Sequence, residues 1–309
     1  MLYSSLCLDY LNGELMMKLG IIGGSGLYDI DGVENIEKVN ITTPFGEPSD
    51  SFTCGTLNGQ KVVFLSRHGR GHVIAPAEIN HRANIFAMKI LGVTHIISIS
   101  AVGSLRERIR PRDIVLVDQY YDRRRTAGQD TFFGNGIVAH IGFGNPVCPE
   151  LSAFAAKAAK ESIENSDDTE RRVHITGTYV NMEGPAFSTK IESKIYRDHG
   201  FHVIGMTNLP EAKLAREAEI AYATIAMVTD YDCWHPDHDH VTVDMVIGHL
   251  FANTEISKDI IKRIAKDLKN LSKDNPCFYA LENNIITARE SITAEVKKRL
   301  EPIIGKYCK

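Results

Sequence analysis

The 309-residue chain has no basic excess, no closely spaced cysteine pair and no long apolar run. Each absence removes a class of protein. Lys and Arg number 35 against 39 Asp and Glu, a formal net charge of −4. Binding to a phosphate backbone needs clustered cations, so nucleic acid is disfavoured as the main partner. Six cysteines stand singly at 7, 54, 148, 233, 277 and 308, none in C-x-x-C spacing. That pattern fits a reduced cytoplasmic protein. No stretch is long or apolar enough to span a bilayer. The opening "MLYSSLCLDYLNGELMM" lacks Lys and Arg, and with them the n-region of a signal peptide. A natural-looking start, "MKLGIIGGSG", begins at Met17. Residues 1–16 are therefore expected to be a disordered extension or an upstream mis-start, and 17–309 one domain.

What is present is a run of short β-branched segments. "LGII" (19–22), "KVVFLS" (61–66), "HIISIS" (95–100), "DIVLVD" (113–118), "HITGTYV" (174–180), "HVIGM" (202–206) and "AYATIAMVT" (221–229) suit buried strands. Helical patterns lie between them. Ile79, Ala83, Phe86 and Ile90 share one face, as do Ile256, Ile260, Ile264, Leu268 and Leu271. Residues 150–162 and 189–220 also read as helical. Alternating strands and helices predict an α/β domain with a mixed, largely parallel twisted sheet flanked by helices. Such sheets bind ligands beyond the carboxyl ends of their strands. The Gly-rich irregular stretch 122–148 is long enough to predict a functional loop.

Four strand ends offer anion donors. "GIIGGSG" (20–26) brings backbone N–H groups and Ser25, with a plain tight turn as the alternative. No Gly-Lys-Ser/Thr follows, and Asp29 breaks the last position of a G-x-G-x-x-G fingerprint. "SRHGRGH" (66–72) supplies Arg67, His68, Arg70 and His72 directly after a strand. "SISAVGS" (98–104) supplies Ser100 and the Ala101 N–H, and "GMTN" (205–208) supplies Thr207 beside Met206. Convergent donors of this kind suit a small oxyanion, most simply phosphate.

"TDYDCW" (229–234) then sets Asp230 and Asp232 at the end of a core strand. In extended chain, residues i and i+2 share a face about 7 Å apart. A helix cap, a glycosidase pair and a metal site with "HPDHDH" (235–240) are the alternatives. A fourth is adenine, whose N7 accepts and whose N6 amino group donates on one edge. A protonated carboxyl can donate to N7, which makes the base a better leaving group.

Together "GIIGGSGLYD", "RHGRGH", "NHRANIFAMKILG", "EGPAFST", "GMTNLPEAKLARE" and "ATIAMVTDYDCW" resemble the trimeric purine nucleoside phosphorylase family, and its 5'-methylthioadenosine phosphorylase branch in particular. The likeness covers about residues 18–270, with the motifs in the family's order. It implies phosphate held by Ser25, Arg67, His68, Ser100, Ala101 and Thr207. It implies a purine surrounded by Phe187, Ser188, Asp230 and Asp232, and a ribose on Met206 with His72 nearby. Asp230 is then the acid at N7 and Asp232 supports N6. His140 matches a residue that reaches a neighbouring subunit's pocket, which implies a homotrimer or a dimer of trimers. Ser188 and Val243 stand where 6-oxopurine and unmodified-nucleoside relatives carry Glu and His. Val243, Val246 and Ile247 would form an apolar lining for a methylthio group. One departure is Gly184-Pro185-Ala186-Phe187, where the family has Gly-Pro-Arg-Phe.

The expected reaction is phosphorolysis of 5'-methylthioadenosine to adenine and 5-methylthioribose 1-phosphate. Phosphate is a co-substrate, and neither metal nor organic cofactor is required. A purine nucleoside phosphorylase acting on adenosine or 6-oxopurine nucleosides, and a hydrolytic nucleosidase, are the alternatives. A non-catalytic nucleoside-binding module and a dinucleotide oxidoreductase stand further off.

Overall fold

A computed structural model describes residues 10–11, 14–24, 27, 30–125, 130–168, 170–236 and 243–308. The first half contains β1 (Tyr10–Leu11), β2 (Glu14–Leu15), β3 (Leu19–Gly23), β4 (Val33–Val39), β5 (Phe52–Leu57), β6 (Gln60–Ser66), α1 (His81–Ile90), β7 (His95–Ser104), β8 (Ile114–Val117) and β9 (Gln119–Asp122). The second contains α2 (Pro149–Glu164), β10 (Val173–His174), β11 (Thr178–Asn181), α3 (Lys190–Asp198), β12 (Val203–Gly205), α4 (Asn208–Glu217), β13 (Ala221–Asp230), α5 (Val243–Asp267), α6 (Ala294–Arg299) and α7 (Glu301–Ile304).

β13, β7, β3 and β6 are parallel neighbours at the centre of an 11-stranded sheet. Antiparallel β8 flanks them on one side and the β5–β4 pair on the other, so the sheet is mixed, as predicted. Side chains alternate across it. Ile21 and Ile97 enter a core cluster with Leu151 and Ile260, whereas Ile22 and Ile96 enter another with Phe86 and Leu214. Helices α2 and α5 thus cover one face, and α1 and α4 the other.

Several sequence expectations change in detail. The helical stretch 189–220 is two helices, because β12 pairs with β7 and β11 between them. A Thr189–Glu192 capping box starts α3, and Gly200, at φ 88°, follows its end. "HITGTYV" is two short strands, interrupted where Gly177 N–H donates to Asp118 Oδ1. Ile79 precedes α1, whose N-cap is Asn80, and Leu268 and Leu271 follow α5. Within residues 1–16, β1 and β2 pair antiparallel. Among the described residues no helix is long and apolar enough to cross a membrane.

Candidate active site

A cavity of about 640 Å³ opens at the carboxyl ends of β3, β6, β7, β12 and β13. Gly24, Arg67, His68, Ser100, Ala101, Met206, Thr207, Asp230 and Asp232 all line it. His72 and the 54% exposed Phe187 also line it. The four donor stretches and the acid motif, far apart in the chain, therefore meet in one place.

The anion-donor side is built on a buried charge pair. Arg67 is 2% exposed, and its Nε lies 2.5 Å from Glu211 Oε1. Its Nη2 donates to Ser98 Oγ (2.6 Å), and its Nη1 to the Ile99 carbonyl (3.0 Å). Burial works to raise the Glu211 pKa, but Arg67 overrides it and holds the carboxyl below its ordinary value. Ser98, Asn208 and Tyr222 close a polar network around the same carboxylate. Sequence reasoning missed Glu211, Ser98 and Asn208, which look there like ordinary strand and helix residues.

His68 donates from Nδ1 to the Ile74 carbonyl (2.9 Å), since a carbonyl can only accept. Its ring stacks on His72 at 4.2 Å. Burial, and then the Arg67 charge, lower its pKa to about 4. The neutral ring therefore keeps a lone pair on Nε2. Thr207 precedes α4, but its side chain does not cap it. Asn181 does so instead, accepting from Leu209 N–H at 2.9 Å. The positive end of the α4 dipole thus lies beside the cavity.

The acid side depends on backbone shape. The β13–β7 register shifts between Val228 and Asp230, a local bulge where the strand leaves the sheet. Asp230 Oδ2 meets Thr229 Oγ1 at 2.7 Å, and Asp230 Oδ1 accepts from Asp232 N–H at 2.7 Å. Asp232 takes the left-handed conformation, φ 54°, which turns its carboxyl back into the cavity. Its Oδ2 is buried with no hydrogen-bond partner among the described residues. Burial raises both pKa values, that of Asp232 to about 6. The bond from Trp234 Nε1 to the Ser104 carbonyl and the Arg197 guanidinium 3.6 Å over the Trp234 ring pin the loop beyond.

Two glycines are required by close approach. A Cβ at Gly103 would lie 2.9 Å from Asp230 Oδ1 and 3.4 Å from Asp232 Cβ. One at Gly184, already at φ 71°, would lie 2.5 Å from Met206 Sδ.

Ser188 and His140 are not among the residues that line this cavity. Ser188 Oγ contacts Met182 Sδ at 3.9 Å, and its carbonyl accepts from Cys233 Sγ. His140 is exposed, and its N–H donates to the Asn284 carbonyl. The irregular loop that carries it is tied to α4, where Glu217 accepts from Thr131 Oγ1 and Phe132 N–H, both at 2.7 Å. Ala186 is exposed at the edge of the site. Ser25, the side chains of Val243, Val246 and Ile247, and Asp237–His240 lie outside the described residues.

A parallel-centred sheet with anion donors and an acid pair at its strand ends defines a phosphorylase class. In agreement, residues 18–266 match the phosphorylase superfamily. The S-methyl-5'-thioadenosine phosphorylase of Geobacter sulfurreducens is 53% identical over 94% of this chain and 98% of its own length. That of Synechocystis is 54% identical over 94% and 87%. A methylthioadenosine phosphorylase from an Antarctic soil metagenomic library superposes with a TM-score of 0.87 at 44% identity, over 93% of this chain and 98% of its own. Methylthioadenosine phosphorylase from Schistosoma mansoni, solved with adenine, gives 0.81 at 34% identity, over 87% and 99%. The chain belongs to the S-methyl-5'-thioadenosine phosphorylase family.

Proposed function

We infer that this enzyme is a pentosyltransferase that cleaves 5'-methylthioadenosine with inorganic phosphate, releasing adenine and 5-methylthioribose 1-phosphate, a step of purine and methionine salvage. One observation carries the reading: a single cavity is lined both by oxyanion donors and by a buried acid pair.

Phosphate lies among Ser25, Arg67, His68, Ser100, Ala101 and Thr207. Among the described residues Nη1 of Arg67 donates once, to the Ile99 carbonyl, and its second N–H is the one that meets the anion. His68 Nε2, a lone-pair acceptor, takes the O–H of hydrogen phosphate. Met206 and His72 border the ribose. The unpartnered Asp232 Oδ2 is an acceptor suited to the N6 amino group. Asp230, protonated, donates to N7. The base departs with the electrons of its glycosidic bond, leaving an oxocarbenium-like centre. The adjacent phosphate stabilises that charge and attacks it, with both reactants already in place.

The test is base release from methylthioadenosine, adenosine and inosine, with and without phosphate. Adenine release from methylthioadenosine that requires phosphate is expected. Release without phosphate, or inosine as best substrate, overturns the reading.

The chain is further read as a cytoplasmic homotrimer, or a dimer of trimers, with His140 serving a neighbouring site. The exposed apolar residues Val138 and Ile175 fit a subunit contact. Light scattering that returns a monomer mass of 34.3 kDa removes this part.

A further inference from the structure

Thr229 has one hydroxyl hydrogen and two acceptors within reach. Its Oγ1 lies 2.7 Å from Asp230 Oδ2 and 3.2 Å from the Val102 carbonyl. The residue is 2% exposed and lines the cavity. It sits at the β13 bulge, between Val228 and Asp230, where the strand departs from regular pairing. Bulges next to active sites re-aim side chains. Here the bulge sets a threonine hydroxyl against the carboxyl that follows it.

We propose that Thr229 is a positioning residue whose hydroxyl switches acceptor as Asp230 gives up its proton. The inference rests on the assignment of Asp230 as the acid at N7. While Asp230 is protonated, its Oδ2–H donates to Thr229 Oγ1, and Thr229 donates to the Val102 carbonyl. When the purine is bound, the Oδ2–H turns from Thr229 Oγ1 to N7, and its proton passes there. The electron pair of the broken glycosidic bond goes to the base, and a phosphate oxygen bonds the sugar carbon. The Thr229 hydroxyl then turns from Val102 to the new carboxylate. Every donor keeps an acceptor in both states, so the hydroxyl stabilises the ionised acid without leaving a buried donor unpaired. The interaction is stronger after proton transfer than before it, and that difference accelerates the step. The other titratable groups that act on Asp230 are Asp232, two residues on, and His249 of α5.

The experiment compares Thr229→Val, which keeps the shape and loses the hydroxyl, with Thr229→Ser, which keeps it. Asp230→Asn is the reference, and melting temperatures are measured on all three. Thr229→Val is expected to lower kcat by about tenfold or more, with the phosphate KM changed less than twofold. The limb of the kcat/KM pH profile that reports Asp230 should move to higher pH, and Thr229→Ser should restore most of both. If Asp230→Asn is inactive while Thr229→Val keeps wild-type kcat and pH limb, the Thr229 role is wrong. Equal damage in the Ser and Val variants has the same meaning. If Asp230→Asn turns over normally, the acid assignment fails and takes this inference with it.

Discussion

Arg67 and Glu211 form a buried ion pair beside a cavity that Arg67 also lines. Breaking one partner of such a pair leaves a desolvated charge and costs about 3–5 kcal/mol. Glu211→Gln is therefore expected to lower stability by that order in denaturant titration. Phosphate would supply the missing countercharge. The gain in melting temperature on adding phosphate should be larger for Glu211→Gln than for the wild type. An equal gain would separate Arg67 from the anion.

Asp230→Asn keeps the shape of the acid but removes its transferable proton. Turnover of methylthioadenosine should fall by about 10²–10⁴-fold, with the melting temperature little changed. Adenine release in single-turnover assays measures it.

Asp232 carries a pH signature. Its pKa, raised to about 6 by burial, exceeds the usual carboxylate value of 3.8. Between those values the folded chain holds a proton that the unfolded chain has lost. Its contribution to stability therefore falls as pH rises through this window and stays low above it. Asp232→Asn should stabilise the ligand-free protein at neutral pH by roughly 1–3 kcal/mol, since Asn also tolerates the left-handed backbone. The same variant should weaken adenine binding; denaturant titration reads the first half and titration calorimetry the second. A destabilised variant would contradict the assignment of a carboxylate that burial disfavours.

Gly103→Ala tests the packing of the acids. The added methyl would meet Asp230 Oδ1 and the Asp232 side chain. At least a tenfold loss in kcat/KM for methylthioadenosine is expected, with the fold kept by circular dichroism.

The central strands were legible because β3, β7 and β13 are largely apolar or β-branched and are buried over most of their length. Strand β4, "VENIEKV", was not: it is an exposed edge strand with polar side chains and no hydrophobic pattern. Its neighbour β5 did carry a signal. Asn58-Gly59, at φ 50° and 80°, is a hairpin turn whose sequence marks strands on both sides. Strand β12 has three residues inside a helical composition, yet the β-branched "HVIGM" marked it as a strand. At the site, Asp230 and Asp232 were visible because acids seldom end a buried strand without cause. Glu211 was invisible because "PEAKLARE" reads as any exposed helix. Its burial is decided by Arg67, 144 residues away in the chain.

Helix α4 is ten residues long and is held at both ends. Its first turn is fixed by Asn181 on the Leu209 N–H and by Asn208 on Ser98 and Tyr222, against the anion donors. Its last turn grips the loop of His140 through Glu217. A rod clamped in this way acts as a strut that fixes the spacing between the anion end and the loop at about 15 Å. One helix thereby joins the anion donors and the loop of His140 in a single packed unit.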